Sequence, residues 1–112
     1  MALTWYRVFE SEAAAQAGIP QGTARLVLVK GRRICLAHSQ AGFFAIQDAC
    51  PHLAEPLSKG SINAMNEIIC PLHQYRYHLA TGTECDNKTK GAKTYPLKWK
   101  AGALYLGVAA AT

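Results

Sequence analysis

Two short segments, Cys50-Pro51-His52 and Cys70-Pro71-Leu72-His73, constrain this chain more than anything else in it. Each joins one thiol to one imidazole, and 17 residues separate His52 from Cys70. Proline follows the cysteine in both, fixing one backbone angle and removing one amide, so each loop is partly ordered before any metal arrives. The four donors form a Cys2His2 set, which suits a tetrahedral zinc ion. Zinc fingers, however, usually pair like with like, two cysteines in one segment and two histidines in the other. Mixed segments suit a metal pair better. If the cysteines take one iron and the histidines a second, each loop must reach across both metals, and one Cys with one His per loop is the natural arrangement. Whatever the fold, it has to bring two distant loops together on a rigid frame.

The flanking sequence supplies that frame as strands. Arg25 to Val29, Arg33 to His38 and Phe43 to Ile46 are short runs rich in Val, Ile, Leu and Phe, separated by the turn-like Lys30-Gly31-Arg32 and Ser39-Gln40-Ala41-Gly42. They read as an antiparallel meander. Leu97 to Lys100 and Ala103 to Val108 flank Ala101-Gly102 and suggest a closing hairpin. Glu10 to Ala17 is alanine-rich, with Ser11 as a cap and Gly18 and Pro20 as stops, which predicts a short helix. Between the strand-rich parts, residues 48–86 read as an insert built on loops, with short strands expected at Asn66 to Ile69 and Tyr75 to Leu79 and a turn at Ala80 to Thr83. The 112 residues, half of them hydrophobic, allow one compact core and are too few for two ordinary domains, so residues 1–112 are expected to be one domain.

Charge and cysteine usage narrow the setting. The formal charge of +5 arises from 12 Lys and Arg against 7 Asp and Glu, with Lys88, Lys90, Lys93, Lys98 and Lys100 in one C-terminal stretch. That stretch suits an acidic partner or a solvated edge equally, and it lacks the interleaved aromatics of a single-strand nucleic-acid binder, so no nucleic-acid partner is expected. No apolar run approaches the roughly 18 residues of a membrane span, and the first nine residues carry Trp5, Tyr6 and Arg7 rather than a signal-peptide pattern. No membrane association and a cytoplasmic location are expected. In that reducing compartment the four cysteines read as ligands or buried thiols rather than a disulfide framework. Cys35, between Ile34 and Leu36, reads as a core thiol and Cys85 as structural, while His38 and His78 read as ordinary polar residues because the ligand set is complete without them.

Cys50-Pro-His52 followed by Cys70-Pro-Leu-His73 resembles the Rieske family pattern, C-x-H and then C-x-x-H about seventeen residues later. Pro56-Leu57-Ser58-Lys59-Gly60 is similar to the stretch that follows the family's first ligand loop, Thr81-Gly82 resembles the turn after the second, and Pro96 lies where the family often has a proline loop. The resemblance implies an all-β fold, an antiparallel β-sandwich or barrel with a small cluster-binding subdomain inserted between strands. It implies one 2Fe-2S cluster per chain, with Cys50 and Cys70 on a buried iron and His52 and His73 on an outer one. Neutral imidazoles in place of two thiolates make such a cluster less negative and raise its potential above that of an all-cysteine cluster. The function implied is that of a ferredoxin, which is not itself an enzyme and carries single electrons from a flavin-dependent reductase to a terminal oxygenase. A small subunit of a nitrite-reductase-like assembly and a Cys2His2 zinc-binding interaction module are the other readings.

The chain departs from the family pattern in places. High-potential members carry a disulfide between the ligand loops, where this chain has Glu55 and Leu72, and they place a serine where it has Tyr75. Of the two hydroxyl donors to sulfur in those members, only the tyrosine has a counterpart, Tyr77. Fewer donors imply a potential of roughly −150 to 0 mV, toward the low end for such clusters. Two customary glycines are replaced by Ala54 and Gln74, so the loop path there is expected to differ, and His78 stands where an aspartate is common.

Overall fold

The computed structural model describes residues 2–109. Its elements in chain order are β1 (Leu3–Phe9), α1 (Glu12–Gly18), β2 (Thr23–Val29), β3 (Arg32–Ser39), β4 (Gly42–Gln47), a 3-10 turn (Leu57–Lys59), β5 (Ser61–Ile62), β6 (Glu67–Ile69), β7 (Arg76–His78), β8 (Thr94–Tyr95), β9 (Leu97–Lys100) and β10 (Ala103–Ala109). The strands form three antiparallel sheets, ordered β1-β10-β9, β2-β3-β4-β8 and β5-β6-β7. No closed barrel is present among the described residues, so the sandwich half of the expectation describes the fold. None of their helices is long and apolar enough to cross a membrane.

The meander and the closing hairpin form as the turn chemistry predicts. Lys30 and Gly31, and likewise Ala101 and Gly102, take positive φ at the tips of the β2-β3 and β9-β10 hairpins. Helix α1 starts where a capping side chain is available, with the Ser11 hydroxyl accepting from the Ala14 amide at 3.0 Å.

Strand β3 organises the interior because it is buried on both faces. Successive side chains alternate sides, so Ile34 and Leu36 enter one core with Ala45, Leu106 and Val108, while Cys35 and Ala37 enter a second with Ile46, Leu57, Ile68 and Tyr77. The first core joins the two larger sheets. The second joins the meander to the insert and contains Cys50 and Cys70. Fully burying a side chain such as Ile46 or Ile68 contributes about 1.5–3 kcal/mol, so the insert is fastened to the frame by apolar contact on β3 and β4. Cys35 lies within this core as expected, its thiol pushed up first by burial and then by Asp48. Three of the five C-terminal lysines lie over aromatic rings: Lys88 over Tyr75, Lys93 over Tyr95 and Lys98 over Trp5.

Candidate metal centre

The two ligand segments leave β4 and β6 and close on themselves in the same way. In the first, the Cys50 amide donates to the Glu55 carbonyl at 2.9 Å; in the second, the Cys70 amide donates to the Tyr75 carbonyl at 2.7 Å, again five residues on. The fourth residue after each cysteine, Ala54 and Gln74, has φ near +61°, and His73 has +65°. The two places where glycine was missing therefore keep a left-handed backbone, and the expected difference in loop path is not seen in this angle. Non-glycine residues pay roughly 1–2 kcal/mol there, against about 0.5–1 kcal/mol for the extra freedom glycine loses on folding. Gln74→Gly is thus expected to raise the melting temperature of the folded protein by an amount corresponding to at most about 1 kcal/mol. A lowered melting temperature would show that the Gln74 side chain contributes more than its backbone costs.

Around the loops, buried Asp48 accepts from the Ser58 amide at 2.9 Å and anchors the 3-10 turn that follows the first loop. Ala92, rather than Pro96, is the residue of its stretch that packs in the core with both cysteines, while the Pro96 carbonyl accepts from the Gly107 amide at 2.9 Å.

The four predicted donors come together at one end of the insert. Cys50 and Cys70 are buried in one core, and the rings of His52 and His73 are 5.2 Å apart. Burial pushes the Cys70 thiol up to about 11; the Leu72 amide opposes this and the neighbouring Cys50 adds to it. A buried thiol raised in this way ionises only against a compensating cation. The Nδ1 atom of His52 is buried and has no hydrogen-bond partner, a costly state unless that atom donates its lone pair to a metal. The residues present therefore fit a sulfur-and-nitrogen-ligated centre. Among the described residues, no three of these four donors lie within 4.8 Å of one another, a spread that suits two metals better than a single zinc.

Two tyrosines complete the site. Tyr77 is buried with its hydroxyl 3.1 Å from Cys50 Sγ, as its match to the hydroxyl donor implied. Burial and the nearby thiols hold that hydroxyl protonated, so it donates once the sulfur is a thiolate. Tyr75 was not anticipated as part of the site: it stacks on His52 with centroids 4.0 Å apart and 4° between planes, and Lys88 sits 5.1 Å over it. Buried Glu84 sets the turn that brings Lys88 there, accepting from the Asp86 amide at 3.1 Å and the Lys88 amide at 2.6 Å. His73 and Leu53 are left exposed at the rim, and Leu72 packs inward. His38 is an ordinary polar residue, its Nδ1 2.7 Å from the Ile19 carbonyl and its ring stacked on Phe43.

Known proteins resemble this chain in sequence and in fold. Residues 5–107 match the family described as Rieske-like [2Fe-2S] domain. The ferredoxin component of the naphthalene 1,2-dioxygenase/salicylate 5-hydroxylase systems of Ralstonia sp is 39% identical over 88 residues, covering 78% of this chain and 84% of that protein. Among solved structures, the ferredoxin of carbazole 1,9a-dioxygenase from Nocardioides aromaticivorans IC177 superposes with a TM-score of 0.78 at 21% identity, over 92% of this chain and 96% of that one. A chain named as an NADH-dependent nitrite reductase small subunit from Mycobacterium tuberculosis superposes with a TM-score of 0.83 at 17% identity, over 99% and 100%. At such identities the two superpositions speak for the fold alone.

Proposed function

This chain belongs to the Rieske-like 2Fe-2S domain family, and from that premise we propose that Cys50, His52, Cys70 and His73 hold one cluster and that the protein carries single electrons from a flavin-dependent reductase to a terminal oxygenase. The cluster, when bound, supplies a one-electron couple. The observation that carries the reading is the pairing of two thiols buried in one core with two imidazoles, one of them with a buried and unpartnered Nδ1. In this arrangement the cysteines bind on the protein side and the histidines toward the surface. Tyr75 and Lys88 cover His52, so exposed His73, with Leu53 beside the first loop, is the side offered to a partner. The 39% identity to a dioxygenase ferredoxin component favours the oxygenase role over the nitrite-reductase-like one, whose support is a superposition at 17% identity.

We take residues 1–112 as one domain, with 48–86 as its cluster-binding part, because β3 is shared between both cores. The cytoplasm suits four cysteines that are all free.

The reading is tested by anaerobic titration of the holoprotein followed by mixing with the oxidised oxygenase of its own system. Uptake of one electron per chain and its transfer to the oxygenase are expected. A reduced protein that keeps its electron in the presence of that oxygenase would contradict the carrier role.

Tyr77 provides a finer test. Its hydroxyl stabilises negative charge on Cys50 sulfur, which grows on reduction, so Tyr77→Phe is expected to lower the reduction potential. A hydrogen bond contributing about 1 kcal/mol corresponds to a shift on the order of 40 mV for a one-electron couple. Voltammetry giving an unchanged or raised potential would show that this hydroxyl does not act on the sulfur.

A further inference from the structure

On the face of the β5-β6-β7 sheet opposite the cluster loops, three metal-ligating side chains meet. Along β7, Tyr77 points inward to Cys50, so its neighbours Arg76 and His78 point outward. Glu67 lies opposite His78 in register, and inward-facing Ile68 lies opposite Tyr77. Cys85 is held beside β7 by its amide, which donates to the Arg76 carbonyl at 2.8 Å. Cys85 Sγ is 3.0 Å and His78 Nδ1 3.9 Å from the same carboxylate oxygen, Glu67 Oε2.

The carboxylate is oriented for this. Its other oxygen, Oε1, accepts from Asn63 Nδ2 at 2.7 Å and from Arg76 Nη1 at 3.1 Å, which leaves Oε2 turned toward the thiol and the imidazole. Arg76 in turn faces Asp86 at 3.6 Å, and Asp86 faces Lys88 at 3.8 Å, so the guanidinium is shared between two carboxylates. The three donor atoms lie within 4.8 Å of one another. Donors bound at about 2.0–2.3 Å to a tetrahedral ion are separated by about 3.3–3.8 Å, close to the 3.0 and 3.9 Å seen here, so small side-chain rotations close the site. The His78 side chain is 45% exposed, which leaves room for a water as fourth ligand.

We propose that Glu67, His78 and Cys85 form a second metal site, separate from the cluster, that takes a borderline-soft divalent cation of the zinc class. One sulfur, one nitrogen and one oxygen select such an ion over magnesium or calcium, which take oxygen ligands. The thiol is not poised as a nucleophile, because burial and the Glu67 carboxylate keep it protonated. Binding therefore releases the Cys85 proton to solvent as the sulfur-metal bond forms.

The test is isothermal titration of untagged holoprotein with Zn2+ alone, with iron measured before and after. One zinc per chain with no loss of iron is expected. Cys85→Ser and His78→Gln are each expected to weaken binding at least tenfold, about the lower end of what losing even an outer-shell partner costs, with an unchanged cluster absorption spectrum. His78→Gln alters a half-exposed side chain and keeps the test decisive if the cysteine variant does not fold. The proposal is overturned by an absence of stoichiometric zinc binding, by zinc uptake that displaces iron, or by undiminished affinity in His78→Gln.

Discussion

Cys70→Ala is expected to yield a colourless protein without iron or acid-labile sulfide, whereas Cys35→Ala keeps both. The two thiols share one core, so the comparison separates ligation from burial. Cys35 lies on β3 between Ile34 and Leu36, and shortening it removes one sulfur from a packed interior, a loss of order 1 kcal/mol. Cys70 instead sits at the start of the second loop, buried in the same core as Cys50, and in the proposed centre alanine leaves a coordination position with no donor. Because a bound centre stabilises only the state that can hold it, the Cys70 variant is also expected to melt at a lower temperature than the Cys35 variant. Iron and sulfide assays with a visible spectrum check the first part, and a Cys70→Ala protein that keeps its colour would remove that residue from the ligand set.

Gly82→Ala is expected to be the most destabilising of the single-methyl substitutions near the site. A Cβ at Gly82 would lie 2.0 Å from the Ala92 carbonyl oxygen and 3.2 Å from Thr94 Cγ2, and the residue has φ +81°. The same pair of residues is joined by the Ala92 amide, which donates to the Gly82 carbonyl at 2.7 Å. A side chain at Gly82 would thus push away the strand-edge segment whose Ala92 packs against the two cysteines. A left-handed non-glycine residue costs roughly 1–2 kcal/mol, and overpacking against backbone adds about 1–3 kcal/mol. The sum is a large share of the 5–15 kcal/mol typical of a whole domain. Denaturant titration of holoprotein should show a midpoint shift of that size, and a change below about 1 kcal/mol would mean the turn rearranges freely.

The candidate ligand residues stand out in the sequence because their chemistry is local: each Cys-Pro segment carries its histidine within three residues, and that mixed pairing disfavours a zinc finger. Strands β2, β3, β4, β9 and β10 were legible for a similar reason, since each is bounded by a turn whose residues tolerate positive φ. Strand β1 was not, because it pairs with β10 at the other end of the chain and no nearby turn announces it. Strand β8 is two residues long, too short for any alternation, and exists through its pairing with Ala45 and Ile46. The glycine replacements misled in one respect, because Ala54 and Gln74 accept the left-handed angle that glycine would have taken. Features made by distant segments were invisible: Tyr75 meets His52 across the two loops, and Glu67, His78 and Cys85 meet through the register of β6 and β7 and the Cys85 amide bond to Arg76.

Two imidazoles and two thiolates are proposed to share one diiron centre, and electron paramagnetic resonance of the dithionite-reduced protein reads that ligand set directly. A reduced 2Fe-2S signal is expected with an average g below that of an all-cysteine cluster, and it should vanish in His73→Ala. A colourless protein with no signal, or an average g equal to that of an all-cysteine cluster, would contradict that arrangement.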